Sequence, residues 1–292
     1  FFGQTILFGD NYFLMVPGKL FSAQWLVQGI FPLWNPLLFA GIPWIGDVNQ
    51  SILYPSTLLF LVFSPAVALN IAIVSHQILT FVGMYFLAKQ FVKQQWLMAT
   101  AAILWTFSPQ VTGSINNIAT LQSISWFPWI VYAGLFATKK WRIAVFFPLV
   151  VLMQFAGGYP QHVLYSIIAA AVLSAWMNRS ELRTKSGLLS WVFKWSVQAI
   201  LVIGLTALLW MPFLETIKGS TRAIQSAAQA ASGSLLPVEL VKVVFPYIFD
   251  NPLAGMKWGP SWNKPPNVSL YFTWSGLLVA LGWLVSRKSE KQ

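Results

Sequence analysis

Cysteine is absent from the 292 residues, which excludes a disulfide framework, a thiol nucleophile and a cysteine-based metal site. Histidine occurs twice, at 76 and 162, too rarely for a histidine-rich metal cluster. Charge is scarce as well. Charged residues make up 9% of the chain, against about 25% in a soluble domain. No glycine-rich phosphate loop, nucleotide fingerprint or Ser-His-Asp order is present, which argues against an ATP-driven pump and a serine hydrolase. What remains is apolar: 57% hydrophobic residues, sixteen Trp and a mean hydropathy of +0.65. That composition belongs to a polytopic, all-α membrane protein.

The net charge of +11 does not mark a nucleic-acid binder, because the basic residues form no single run. They fall between apolar segments. Seven such segments, roughly 66–88, 96–112, 119–138, 142–157, 161–177, 188–212 and 268–286, are long enough to be embedded. Lys89 and Lys93 follow the first, and Lys139, Lys140 and Arg142 follow the third. Arg179, Arg183, Lys185 and Lys194 surround the fifth connection, and Arg287, Lys288 and Lys291 close the chain. The positive-inside rule makes these the cytoplasmic side. The opposite side then carries Asp10, Asp47, Glu215, Glu239 and Asp250, five of only seven acids. Four regions result: an extracytoplasmic first loop at 1–65, a six-helix bundle at 66–212, an outer loop at 213–267, and a last helix with a basic end at 268–292. Residues 142–157 and 161–177 are short, and Pro148 interrupts the first, so two spans and a re-entrant hairpin both fit. The opening Phe1-Phe2-Gly3-Gln4 has no initiator Met or signal-peptide pattern, and reads as following a first transmembrane helix outside this chain.

The first loop has too many Pro, Gly, Asn and Asp to cross a bilayer. Pro17 and Gly29 bracket a short helix at 18–30, in which Lys19, Ser22, Gln24 and Gln28 alternate with apolar residues, as in a helix lying along the interface. A second short helix is expected over 56–63. Trp34 and Trp44 lie in this polar loop, where packing on the membrane surface and stacking on a sugar ring are both open.

Gly9-Asp10, Pro32-Leu33-Trp34-Asn35-Pro36, Gly41 with Pro43, Gln50 with Tyr54-Pro55, and Gly158-Tyr159-Pro160-Gln161 occur here in order. Phe245-Pro246-Tyr247, Tyr271 and Gly276 follow. This ordered set resembles the YfhO-type bacterial membrane proteins of the GT-C glycosyltransferase superfamily. Tyr159 departs from the pattern, where a His is expected, and His162 lies three positions on. The resemblance implies a multi-pass enzyme of the bacterial cytoplasmic membrane with its active face outside. Its donor would be a polyprenyl-phosphate sugar, and its acceptor a cell-envelope glycan or lipid.

Such a transfer needs a base for the acceptor hydroxyl and cations for the departing phosphate. The resemblance assigns the base to Asp10, which should sit partly desolvated at the membrane surface after Ile6-Leu7-Phe8. A cap before the surface helix is the plain alternative. Asp47 either shapes its turn or joins the chemistry, and with Asp10 it would suit a divalent cation such as Mg or Mn, which nothing in the sequence requires. The outer cations include Lys19, Lys218 and Arg222. The last two are spaced i, i+4 to share a face if the sixth helix continues, and Arg222 can grip a phosphate bidentately. Gln161 and His162 can bind sugar hydroxyls or satisfy a helix start, and Gln50 and Tyr54 join the substrate-binding candidates through the resemblance. His76 and Gln77, mid-helix, point to interhelix hydrogen bonding. Residues 220–236 read as a mobile outer segment. Two other functions compete: a transporter or flippase of lipid-linked glycans, and a scaffold in an envelope-assembly complex.

Overall fold

The computed structural model describes residues 9–138 and 141–220, and beyond them 237–243, 245, 250–251 and 256–257. The expected last helix at 268–286 and most of the 220–236 stretch, Arg222 included, lie outside the described residues. The chain is mostly helical. In order, α1 is Val16–Val27, α2 Leu59–Val62, α3 Pro65–Ala88, α4 Gln95–Thr106, α5 Pro109–Gly113 and α6 Ile118–Ser125. Then come α7 Phe127–Phe136, α8 Trp141–Ala156, α9 Pro160–Met177 and α10 Lys185–Lys218. The chain forms two compact units. The first comprises residues 1–102 and 114–223, and the second 103–113 and 224–292.

Among the described residues, three helices are long and apolar enough to cross a membrane: α3 with 24 residues, α9 with 18 and α10 with 34. At 1.5 Å per residue α3 reaches about 36 Å, more than a hydrocarbon core of about 30 Å. Their starts follow from local chemistry. Pro65 and Pro160 open α3 and α9, where a missing N–H costs nothing. The Thr184 hydroxyl accepts from the Gly187 amide at 3.1 Å and caps α10.

Two expected continuous segments are broken. The 96–112 run divides into α4 and α5 because Pro109 disfavours helical backbone at Ser108. The 119–138 run divides into α6 and α7 at Trp126, two residues before Pro128. Proline at 148, by contrast, stays inside α8.

In the first unit the bundle core joins α7, α8 and α9 through Ile130, Ala133, Phe147, Val151, Val163 and Ala170, with Trp195 of α10 packed on it. Apolar lipid tails give no hydrophobic drive between helices, so close approach rests on small residues. Gly134 is one: a Cβ there would lie 2.6 Å from the Ala170 Cβ, so α7 and α9 meet at a glycine. Trp129 Nε1 donates to Leu79 O at 2.9 Å and fastens α7 to α3 beside Gly83.

The first loop has its own small core. Phe21, Trp44 and Ile52 are buried, with Trp25, Leu38 and Ile42 packed around them. Trp44 is wholly buried and its Nε1 donates to the Ser22 hydroxyl at 2.9 Å, so it faces neither membrane nor sugar. The helix expected at 18–30 starts at Val16 and buries Gly18, Lys19 and Ser22. Lys19 therefore points into the loop rather than along an interface. After α1, the pair β1 (Trp34–Asn35) and β2 (Ile42–Pro43) makes an antiparallel hairpin, with Trp34 opposite Pro43 and Asn35 opposite Ile42. The helix expected at 56–63 is a 3-10 turn over Pro55–Leu58 continuing into α2. In the second unit, β3 (Asp250–Asn251) pairs antiparallel with β4 (Met256–Lys257).

Candidate active site

Asp10 lies where the first loop meets the bundle. Gly9 makes the turn into it with φ +58°, a left-handed value that glycine adopts freely. Asn11 pins the turn: its Nδ2 donates to Ile115 O at 2.7 Å, and its Oδ1 accepts from the Ile118 amide at 2.8 Å. Asp10 is exposed, and its Oδ2 accepts from Asn117 Nδ2 at 2.8 Å. Asn117 is at the same time the cap of α6, accepting from the Thr120 amide at 3.2 Å. The carboxylate thus stands beside the start of α6, where the helix dipole favours negative charge. Protein does not bury it. Sequence reasoning missed Asn117, although an Asn before an apolar run is a helix-start signal.

Asp47 is half-buried in the turn after Gly46, and its Oδ2 accepts from Gln50 Nε2 at 2.9 Å. A Cβ at Gly46 would meet the Thr216 side chain and Pro212 O, so this turn lies against the end of α10. Asp47 also lines a small pocket with Ser51, Leu53, Phe155, Ala156 and Leu209. Asp10 and Asp47 are held by different partners. Among the described residues no group of three His, Asp or Glu side chains is gathered to hold a metal.

Lys218 is exposed on the last turn of α10, two residues from Thr216. The helix stops there with Gly219 at its C-cap, and Arg222, the expected i+4 partner of Lys218, lies outside the described residues. Thr216 is the side chain of this turn that meets Gly46, and Lys218, two residues on, lies toward the opposite side of the helix.

Gln161 is exposed and His162 half-buried in the first turn of α9. The His162 ring packs on Tyr159 with centroids 4.8 Å apart, and its buried Nδ1 has no partner among the described residues. The corner before them is locked to the first loop. Ser51 Oγ donates to Gly157 O at 2.8 Å, and Gly158 has φ +109°. A Cβ at Gly158 would sit 2.6 Å from Ser51 Oγ and 2.8 Å from Val48 O. Gly158→Ala is expected to lower stability by about 1–3 kcal/mol through strain at this backbone conformation. A drop of several degrees in the melting temperature of the purified protein checks it.

Gln50 and Tyr54 are buried at 1% and 4% exposure; Gln50 Nε2 is spent on Asp47, while its Oε1 has no partner among the described residues. The Tyr54 hydroxyl accepts from Trp126 Nε1 at 2.8 Å and lies 2.8 Å from His76 Nε2. His76 Nδ1 is 2.6 Å from Ala72 O, which can only accept, so Nδ1 carries the proton and Nε2 accepts from Tyr54. Burial raises the Tyr54 hydroxyl above its ordinary pKa, opposed by the Trp126 hydrogen bond. This chain ties the loop to α3 and to the α6–α7 junction. Tyr54→Phe leaves Trp126 Nε1 and His76 Nε2 unpaired, at an expected cost of about 1–3 kcal/mol for each buried group. Chemical or thermal unfolding against wild type reads it.

Lys19 is wholly buried. Its Nζ donates to Ser51 O at 3.1 Å and to the Thr57 hydroxyl at 2.7 Å, and it has no carboxylate partner among the described residues. Burial lowers its pKa from the ordinary 10.5 to about 7. An ammonium so enclosed is not available to an external phosphate, which removes Lys19 from the outer cations expected to serve one.

Comparisons of the chain with protein-family models, curated proteins and solved structures found no match.

Proposed function

We propose that this chain is a membrane glycosyltransferase of the GT-C kind, transferring a sugar from a polyprenyl-phosphate carrier to a cell-envelope glycan or lipid. One observation carries the reading. Among the described residues, Asp10 is the acid that is both exposed and held by a side chain of the bundle, through Asn117. A general base needs that combination: access to a substrate hydroxyl and a fixed orientation. The neighbouring Asn11 makes the loop rigid at that point.

In this reading seven spans cross the bacterial cytoplasmic membrane. Four are formed by α3, α8, α9 and α10, two by the broken pairs α4–α5 and α6–α7, and the seventh by residues 268–286. The basic connections face the cytoplasm and the first loop faces outside. Asp10 takes the proton of the acceptor hydroxyl as its oxygen attacks the anomeric carbon. The bond from that carbon to the carrier phosphate breaks, and the phosphate leaves with its electron pair. Lys218 and Arg222 offset the charge of that leaving group. Gln161 and His162, at the outer end of α9, supply polar contacts for the sugar.

The test is transfer of radiolabelled sugar from a panel of polyprenyl-phosphate donors in membranes containing the full-length protein. Label appearing in a glycan or glycolipid supports the reading. An unlabelled acceptor fraction across the panel counts against it.

A further inference from the structure

The first loop exposes a set of large apolar side chains that neither its own core nor the proposed chemistry uses. Val27, Ile30, Leu33, Trp34, Leu37 and Phe39 are all exposed, Leu37 at 77% and Phe39 at 91%. They lie along the end of α1 and the β1–β2 hairpin. No charged residue occurs between Lys19 and Asp47. A water-facing loop of that length would carry charge, and this one carries none; it buries Phe21 and Trp44 in its own core but leaves Phe31, Trp34 and Phe39 exposed.

The hairpin is also built to turn its apolar tip outward. Phe39 and Ala40 take left-handed backbone, φ +50° and +63°, which non-glycine residues avoid. The tip's backbone is internally paired: Gly41 N donates to Leu38 O at 2.7 Å, Trp44 N to Leu33 O at 2.8 Å, and Leu37 N to Asn35 Oδ1 at 2.9 Å. Self-pairing of this kind is what a non-helical segment needs on entering a region poor in water. The loop's height is fixed by α1, which packs on α2, and α2 ends two residues before the membrane-length α3 begins. Leu58, Val62 and Phe63 there are exposed too, continuing the apolar surface to the start of the span.

We infer that the β1–β2 hairpin tip, led by Leu37 and Phe39, is inserted into the outer-leaflet interface of the membrane that this chain spans. Trp34, with an apolar ring and a polar N–H, suits the headgroup boundary. The insertion holds the first loop against the bilayer independently of the chemistry at Asp10.

The chain contains no cysteine, so Leu37→Cys and Phe39→Cys each give one labelling site in it. The full-length protein, reconstituted in phosphatidylethanolamine–phosphatidylglycerol vesicles, is spin-labelled at each position. Collisions of the label with oxygen, which enriches in lipid, are compared with those of a water-soluble nickel chelate. Ile200→Cys, on an exposed face of α10, and Ser180→Cys, in the α9–α10 connection, serve as lipid and water references. The expected oxygen-to-nickel ratio at both tip positions is several-fold above Ser180 and close to Ile200. A ratio matching Ser180 overturns the inference in favour of a water-facing tip. Low accessibility to both reagents also overturns it, because protein or bound ligand then covers the tip. Leu37 keeps the test informative if substitution at the strained Phe39 perturbs the hairpin.

Discussion

Asp10→Asn is expected to lower sugar transfer by about 10²–10⁴-fold, the range that a general base contributes. Protein level and melting temperature should stay near wild type. The substitution keeps the shape and leaves an oxygen that still accepts from Asn117 Nδ2, now at 2.8 Å from the Asp10 Oδ2. Asn11, which pins the loop, is untouched. What is lost is the ability to take a proton. Asn117→Ala separates orientation from basicity. It leaves the carboxylate in place but removes its donor, and it uncaps α6 at a cost of about 1 kcal/mol. A loss of transfer far smaller than that of Asp10→Asn, mainly in kcat, is expected from the paired kinetics. Equal transfer by wild type and Asp10→Asn would remove the base from the mechanism.

The second large effect concerns stability. Lys19 has a folded-state pKa of about 7, against an ordinary 10.5. Between those values the unfolded chain binds more protons than the folded one, so stability rises with pH across that window. Below pH 7 the penalty for burying the ammonium is fully present, on the order of 5 kcal/mol by the usual conversion. Tyr54 acts with the opposite sign. Its pKa is raised on folding, so its contribution is present below its ordinary value of 10 and fades at higher pH. The stability that these two groups contribute is therefore greatest near pH 10. Lys19→Met should abolish the rise between pH 7 and 10 and melt higher than wild type at pH 7. It frees no buried acceptor, because the Thr57 hydroxyl still donates to Ser51 O at 2.7 Å. Replacing a buried charge by an apolar side chain of similar size is often stabilising. A melting series from pH 6 to 10 on both proteins checks this. A Lys19→Met protein that melts lower at pH 7 would mean that the ammonium has an anionic partner.

Helical class and the membrane-length α3, α9 and α10 were legible because they rest on composition and proline punctuation. The starts of α3 and α9 coincide with Pro65 and Pro160. The breaks at Ser108 and Trp126 were marked by Pro109 and Pro128, but apolar runs on both sides masked them. Lys19 shows the limit best. Periodicity placed a charged side chain on the wet face of an amphipathic helix. The loop instead turns that face inward, and satisfies the ammonium with a carbonyl and a hydroxyl 32 and 38 residues away. No local pattern encodes such pairing. The same holds for the Tyr54, His76 and Trp126 network, whose members lie 22 and 72 residues apart in sequence. At the candidate site, Asp10 was visible as a rare acid in a glycine turn. The asparagines that hold it became evident only with the loop docked on the start of α6.

The central claim is that the outer face performs transfer and not passage of a lipid-linked glycan. The most direct measurement uses proteoliposomes of the full-length protein, with a radiolabelled polyprenyl-phosphate sugar in both leaflets and an acceptor outside. Label is expected to move to the acceptor with wild type and not with Asp10→Asn, while the labelled carrier stays in its original leaflet. Carrier exchanging between leaflets without any labelled acceptor, equally in both proteins, would contradict it.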